Sequence, residues 1–286
     1  MNTCRYSGRD FTAADLDRIR ASIADHERYP HRKAISVAVC TALDWRKPNG
    51  TLKDMSCRVA LLRMQEDGLI TQPPPRRPLF PPKAPQAVLF EPASIHLILH
   101  DLGPVHVRPI TSPQEGRIWR ELMGQYHYLG YTPLPGAQIR YIAESSSGIV
   151  ALLGFGAAAW KVAPRDDFIG GTREQRERGL HLIVNNARFL IPPWIHVPHL
   201  ASHVLAAVAR RLPSDWTARY AYQPVLLETF VEIPRFRGTC YKAANWIHVG
   251  TTQGRGKKDA HHQRALPLKD VYLFPLTARF RQALRP

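Results

Sequence analysis

Cysteine is scarce in this sequence. The 286 residues hold four, Cys4, Cys40, Cys57 and Cys240, with no CxxC pair among them. That excludes a disulfide scaffold and counts against a zinc ribbon or finger, and it fits reduced thiols in a cytoplasmic protein. No run of about 18 apolar residues exists, so no membrane span is expected. The start, MNTCRYSGRDF, lacks the apolar core of a signal peptide. The phosphate-loop pattern GxxxxGK[ST] is missing. Acidic residues are also in short supply, 23 against 39 Lys and Arg, which leaves a formal net charge of +16.

That surplus is uneven. Residues 235–286 hold 11 basic and 2 acidic residues, whereas residues 87–170 hold 6 basic and 7 acidic ones. A cationic surplus says little about fold, but it draws polyanions, and nucleic acid is the partner expected. With 44% hydrophobic residues the chain has the material for a packed core.

Seven of the 25 prolines fall in TQPPPRRPLFPPKAPQ, residues 71–86. Such a run favours extended backbone and reads as a semi-rigid spacer. It divides a head, residues 1–70, from a main domain, residues 87–286. The head reads as three helices. Thr12 and Asp15 resemble a capping box before Leu16, Ile19 and Ile23. A second helix is expected over about 32–43, with Ile35, Val39 and Leu43 inward. The turn Asp44–Gly50 follows, then a third helix from about Leu52 to Asp67, with Met55, Val59, Leu62 and Met64 inward and Gly68 as its stop. This order suggests a helix-turn-helix DNA reader, with Arg46, Lys47, Lys53 and Arg58 placed for phosphates or base edges. A three-helix bundle for protein contacts is the alternative.

In the main domain strands and helices alternate. Strands are expected over about 95–110, Gln138–Ser145, Gly148–Trp160, His181–Ile191, Pro224–Glu232, from Ile247, and Leu268–Leu276. Helices are expected over 113–125, Thr172–Gly179, His199–Leu212 and Phe236–Trp246. The class is α+β: a helical head, a proline-rich linker and a mixed α/β domain. Its order resembles the shell of the GNAT acyltransferases, with Tyr241 and Gly250 in loosely matching places. That superfamily sets a glycine-rich loop at its cofactor helix, and Pro192–Ser202 has no glycine, which counts against acetyl-CoA.

Several stretches together resemble one family. They are Lys53–Met64, HYLGY (His127–Tyr131), ALLGFGAAAWKVAPRD (Ala151–Asp166), HLIVNNARFLIPPW (His181–Trp194), LLETFVE (Leu226–Glu232), Phe236–Gly256 and Lys269–Leu276. The chain resembles the DruA family, named for a component of the Druantia antiphage system, whose members also occur beside mobile elements. The resemblance implies antiphage defence or a mobile-element setting, with other proteins of that setting as further partners. It implies no mechanism.

Candidate chemistry comes from the residues. Glu228, central in an apolar strand, is costly to bury unpaired. It stands as a general base or a ligand for a divalent metal such as Mg2+, against a structural ion pair with Arg188 or Arg237. Asn185 and Asn186 break an apolar strand, so either hydrogen-bonds a substrate or both fix a bulge. Cys240 is a candidate nucleophile against a plain buried thiol, and Tyr241 a candidate acid or nucleophile. His127, between Tyr126 and Tyr128, can stack on bases or exchange protons, or simply pack in a corner. Arg188, Arg237, Lys242, Asn245, Trp246, Gln253, Arg255, Lys257 and Lys258 are the expected nucleic-acid contacts, the last four in the flexible GTTQGRGKK loop. Three functions stay open: a metal-dependent nuclease or transposase-like enzyme using Glu228 with Glu144, Asp166 or Asp270; a group-transfer enzyme acting on nucleic acid; and a non-catalytic DNA-binding subunit.

Overall fold

A computed structural model describes residues 3–76, 93–254 and 266–285. The chain separates into two compact units, Met1–Lys83 and Ala84–Pro286. Residues 77–86 of the expected spacer lie outside the described residues.

The first unit opens with a hairpin that the sequence reading lacked, β1 (Cys4–Tyr6) against β2 (Arg9–Phe11). Its two-residue turn puts Ser7 and Gly8 at φ 49° and 79°, the left-handed geometry that suits the twist of paired strands. Helices α1 (Ala13–Ala24), α2 (Arg32–Ala42) and α3 (Asp54–Glu66) follow. The box at the start of α1 forms as expected: Thr12 accepts from the Asp15 N–H while Asp15 accepts from the Thr12 N–H. The face of α3 differs from expectation. Met55, at 59% exposure, and Val59 and Leu62 point outward, while Cys57, Ala60, Leu61 and Met64 are buried. Both stripes are apolar at helical spacing, and the one with small Cys57 and Ala60 lets α3 approach its neighbours closely. The link between α2 and α3 runs from Leu43 to Lys53 and is cinched by an Arg46–Leu52 bridge, far longer than the three or four residues of a helix-turn-helix turn.

The second unit is built on a seven-stranded sheet. In chain order its strands are β4 (His106–Pro109), β5 (Gln138–Ser145), β6 (Gly148–Ala157), β7 (Ile183–Leu190), β9 (Leu226–Glu232), β10 (Ile247–Thr251) and β11 (Lys269–Pro275). Two short strands, β3 (Ile95–His96) and β8 (Ile195–His196), pair in parallel outside it. The sheet runs β10-β11-β9-β7-β6-β5-β4, antiparallel except where β7 meets β9. On one face lies α4 (Pro113–Tyr126), with Trp119, Leu122 and Met123 against Ile142, Leu152 and Leu190. Also on that face, α5 (Ala163–Ile169) and α9 (Phe280–Leu284) share a core with Leu226 and Val271, and α6 (Arg173–Gly179) abuts α9. On the other face α7 (Leu200–Tyr220) lays Val204, Val208 and Leu212 over Tyr141, Leu153 and Phe155. Beside it sits α8 (Thr239–Ala243).

Three expectations are corrected by this packing. α7 runs past Leu212 and through Pro213 to Tyr220, because buried Trp216 continues its apolar stripe. The helix expected over Phe236–Trp246 shrinks to Thr239–Ala243. Gly238, at φ 66°, precedes it, and a Cβ there would sit 2.5 Å from the Tyr272 hydroxyl; Asn245, also left-handed, follows it. The strand from Gly148 stops at Ala157, where the chain turns toward α5. Among the described residues no helix is long and apolar enough to cross a membrane.

Candidate functional site

The parallel pair β7 and β9 holds register only at Ile183–Leu226, Val184–Leu227 and Asn185–Glu228. Beyond that point the strands diverge, and a cavity of about 640 Å³ opens between their carboxyl ends. In open α/β sheets that is the usual place for a ligand.

A bulge shapes its wall. β7 pairs Phe155 with Asn186 and Gly154 with Arg188, so Ala187 is the extra residue. One added residue reverses the alternation of faces. Asn186 therefore turns toward α8. Arg188 turns toward α4, its Cβ and the Trp119 ring both lying within 3.4 Å of where a Gly154 Cβ would be. Of the two asparagines, Asn186 braces the bulge: its Nδ2 donates to the Arg188 carbonyl at 3.1 Å. The cavity is thus bounded from both layers of the domain, by Tyr126–Leu129 on one side and Thr239–Tyr241 on the other.

On the α8 side a closed polar network forms. The Tyr241 hydroxyl donates to Asn186 Oδ1 at 2.8 Å, and the Thr229 hydroxyl donates to the Asn186 carbonyl at 3.0 Å, tying the diverging strands together. Burial first, then nearby Cys240, pushes the Tyr241 phenol up, so it stays protonated and donating. Burial also pushes the Cys240 thiol up, which favours a packed thiol over a nucleophile. Asn185 keeps Oδ1 buried with no donor.

On the α4 side Arg188 is half-buried and has no ion pair among the described residues. Its guanidinium donates only to the Ala187 carbonyl at 2.7 Å and the Thr132 hydroxyl at 2.8 Å, with Nε unpartnered. Burial lowers its proton affinity. Burial and the Arg188 charge together bring His127 down to about 4, so its imidazole is neutral at ordinary pH. The His127 Nδ1 accepts from the Leu129 N–H at 3.2 Å, which leaves Nε2 as the protonated nitrogen. At the mouth stand Arg235, Phe236, Arg237 and Lys269, and among the described residues no Asp or Glu lines the cavity.

Glu228 lies elsewhere. It is fully buried on the opposite side of β9, where one carboxylate oxygen takes the Ala159 N–H at 2.8 Å and the other takes Arg165 at 2.7 Å. Both oxygens are occupied, so it does not fit a metal ion or a general base. Its partner is Arg165, on α5, not Arg188 or Arg237. Of the acids expected beside it, Asp166 shares Arg165 with Glu228 and also pairs with Arg176, whereas Glu144 pairs with Arg108 and Asp270 with His248, away from that network. No group of three metal-capable side chains occurs among the described residues.

Of the expected nucleic-acid contacts, Arg188 and Arg237 line the cavity. Trp246 is corrected to a core residue, packed on Tyr241 and Phe274. Lys242, Asn245 and Gln253 are exposed outside the lining. Arg255, Lys257 and Lys258 lie outside the described residues. In the head Lys47 is exposed, Lys53 immediately precedes α3 without a side-chain capping bond, Arg46 pairs with Asp44, and Arg58 with Asp54. The sequence reading missed Arg235, Phe236, Thr229 and Lys269. The RFRG run, basic and aromatic beside Arg237, carried a signal for two of them.

A family model described as "Druantia protein DruA" matches residues 88–262. No curated protein matches the chain. Among solved structures, an N-acetyltransferase from Staphylococcus aureus Mu50 is similar at 11% identity and a TM-score of 0.40, over 61% of this chain and 100% of that one. The ribosomal-protein-S18-alanine N-acetyltransferase from Escherichia coli is similar at 6% identity and a TM-score of 0.38, over 61% and 95%. A polyamine N-acetyltransferase from Drosophila melanogaster gives 11%, 0.38, 60% and 100%.

Proposed function

The chain belongs to the DruA family, and from that premise we propose that it serves antiphage defence by holding a strand of DNA in the cleft where β7 and β9 part. One observation carries this reading: Arg188 is half-buried at the cleft and, among the described residues, has no carboxylate partner, while the described lining adds Arg237 and Lys269, and Arg235 held by Glu232 at 3.3 Å, with no acid in the lining itself. A cation withdrawn from water without a counter-charge destabilises the free protein, and an arriving phosphate relieves that. The cleft works here by charge and shape, without Glu228. The test is direct binding of labelled single-stranded DNA by the full chain, with Arg188→Met as control. The variant is expected to lose at least tenfold in affinity, and equal affinity would refute the reading.

A DNA contact by the head remains a smaller part of the same proposal. It rests on Lys47 and Lys53, since Arg46 and Arg58 are already held by Asp44 and Asp54.

Group transfer to the bound strand is a second reading, favoured by the cavity's two sides. A donor can enter beside α8 and the strand beside α4. A mass increase on DNA incubated with the protein and a cell extract, lost in Tyr241→Phe, would favour it.

A further inference from the structure

The cleft raises a sharper question than whether DNA binds: which part of a strand enters it. A cavity of about 640 Å³ lies in the size class of small-molecule sites. A base pair within a duplex is far too wide to enter it, and its atoms are shielded by stacking. Phosphates alone would need only the cations at the mouth.

The mouth holds more than cations. Phe236 is 45% exposed, unusual for phenylalanine, and it meets the Tyr128 ring edge-on at 5.1 Å. The Arg235 guanidinium lies 5.2 Å from the Tyr128 ring centre, and the His127 ring 4.9 Å from the same ring. Aromatic faces interleaved with arginines make a stacking platform beside phosphate contacts. Deeper in, the groups can read an edge. His127 offers a neutral Nε2–H donor, fixed by its Leu129 contact, and Asn185 carries an acceptor with no donor.

We propose that the cavity receives one unpaired nucleotide of the strand, its base stacked against Tyr128 and Phe236, with Arg235, Arg237 and Lys269 on the flanking phosphates. This rests on the reading that DNA is held at this cleft. It adds that the site is specific for an unpaired base rather than for backbone charge.

The experiment compares four ligands of equal length or chemistry on the full chain: a natural single strand, the same strand with abasic sugars throughout, the paired duplex, and free deoxynucleoside monophosphate as competitor. Stacking of a base is worth ~1–3 kcal/mol, which is roughly fivefold or more in affinity. The abasic strand and the duplex are expected to bind the wild type at least fivefold more weakly than the natural strand. Phe236→Ala and Tyr128→Leu are expected to lose that margin on the natural strand while binding the abasic strand as the wild type does. Equal binding of natural and abasic strands, with the salt dependence kept, would overturn base insertion and leave the DNA cleft standing. Binding of neither strand would remove both. Displacement by micromolar free nucleotide would overturn the proposal in favour of a small-molecule site.

Discussion

Replacing Arg235 and Arg237 together by alanine is the perturbation that most cleanly isolates the charge at the cleft. Among the described residues four cations line it: Arg188, Arg235, Arg237 and Lys269. Each phosphate neutralised on a single strand contributes about −0.7 to the slope of log affinity against log salt, so four give about −2.8. Between about 50 and about 200 mM salt the wild type should then weaken by roughly 50-fold, and the double variant, at a slope of about −1.4, by only about 7-fold. Any further phosphate contacts steepen both lines equally, so the difference in slope of about 1.4 is the quantity to read. Arg235 is 55% exposed, and its contacts with Glu232 and the Tyr128 ring are of the weak surface kind, so the fold should survive, and a thermal melt checks that. Fluorescence anisotropy with a labelled single strand across five salt concentrations gives both slopes. Equal slopes would place the phosphates elsewhere and refute the reasoning.

Arg188→Met should raise the melting temperature while weakening DNA binding at least tenfold, because it removes a half-buried cation without a counter-charge; a lowered melting temperature would contradict this. Glu228→Ala should destabilise the fold by roughly 3 kcal/mol or more, since it strands Arg165, with Asp166 holding the loss to the low end; surviving folded protein should bind DNA as the wild type does, in a denaturation and binding pair of measurements. For His127 the folded pKa, near 4, lies below the unfolded value, so the unfolded chain binds the extra proton and stability falls as pH drops from about 6.5 toward 4. His127→Phe should flatten that part of the stability profile in urea titrations, and an unchanged profile would show that another group sets it. Gly238→Ala, which combines a left-handed φ with a Cβ set against the Tyr272 hydroxyl, should cost about 2 kcal/mol or more by chemical denaturation; a neutral effect would mean the loop can shift.

How much of this was legible in the sequence follows the range of the interactions. Local signals worked. The Thr12–Asp15 box, the hairpin from Gln138 to Ala157 and the apolar stripe of α7 all depend on neighbours within a few residues. Asn185 and Asn186 were readable as a disturbance of a strand, and a bulge was one of two meanings given to them. That the bulge turns Arg188 away from Asn186 depends on the partner strand, which a single strand does not reveal. An ion pair was one of the meanings open for Glu228, but its partner was not legible, because Arg165 sits 63 residues earlier on a helix with no sequence signature for that contact. The α3 face failed for another reason. Two apolar stripes of equal quality share that helix, and only the packing of the small residues Cys57 and Ala60 decides between them.

Photocrosslinking places the strand with the least inference. With a thymine analogue such as 4-thiothymidine in a single-stranded oligonucleotide, crosslinked peptides are read by mass spectrometry. The account predicts adducts in Tyr126–Tyr131 and Arg235–Tyr241, the segments that face the cavity from its two sides. Adducts confined to the head, or to the exposed faces of α6 and α9, with those two segments clean, would contradict it.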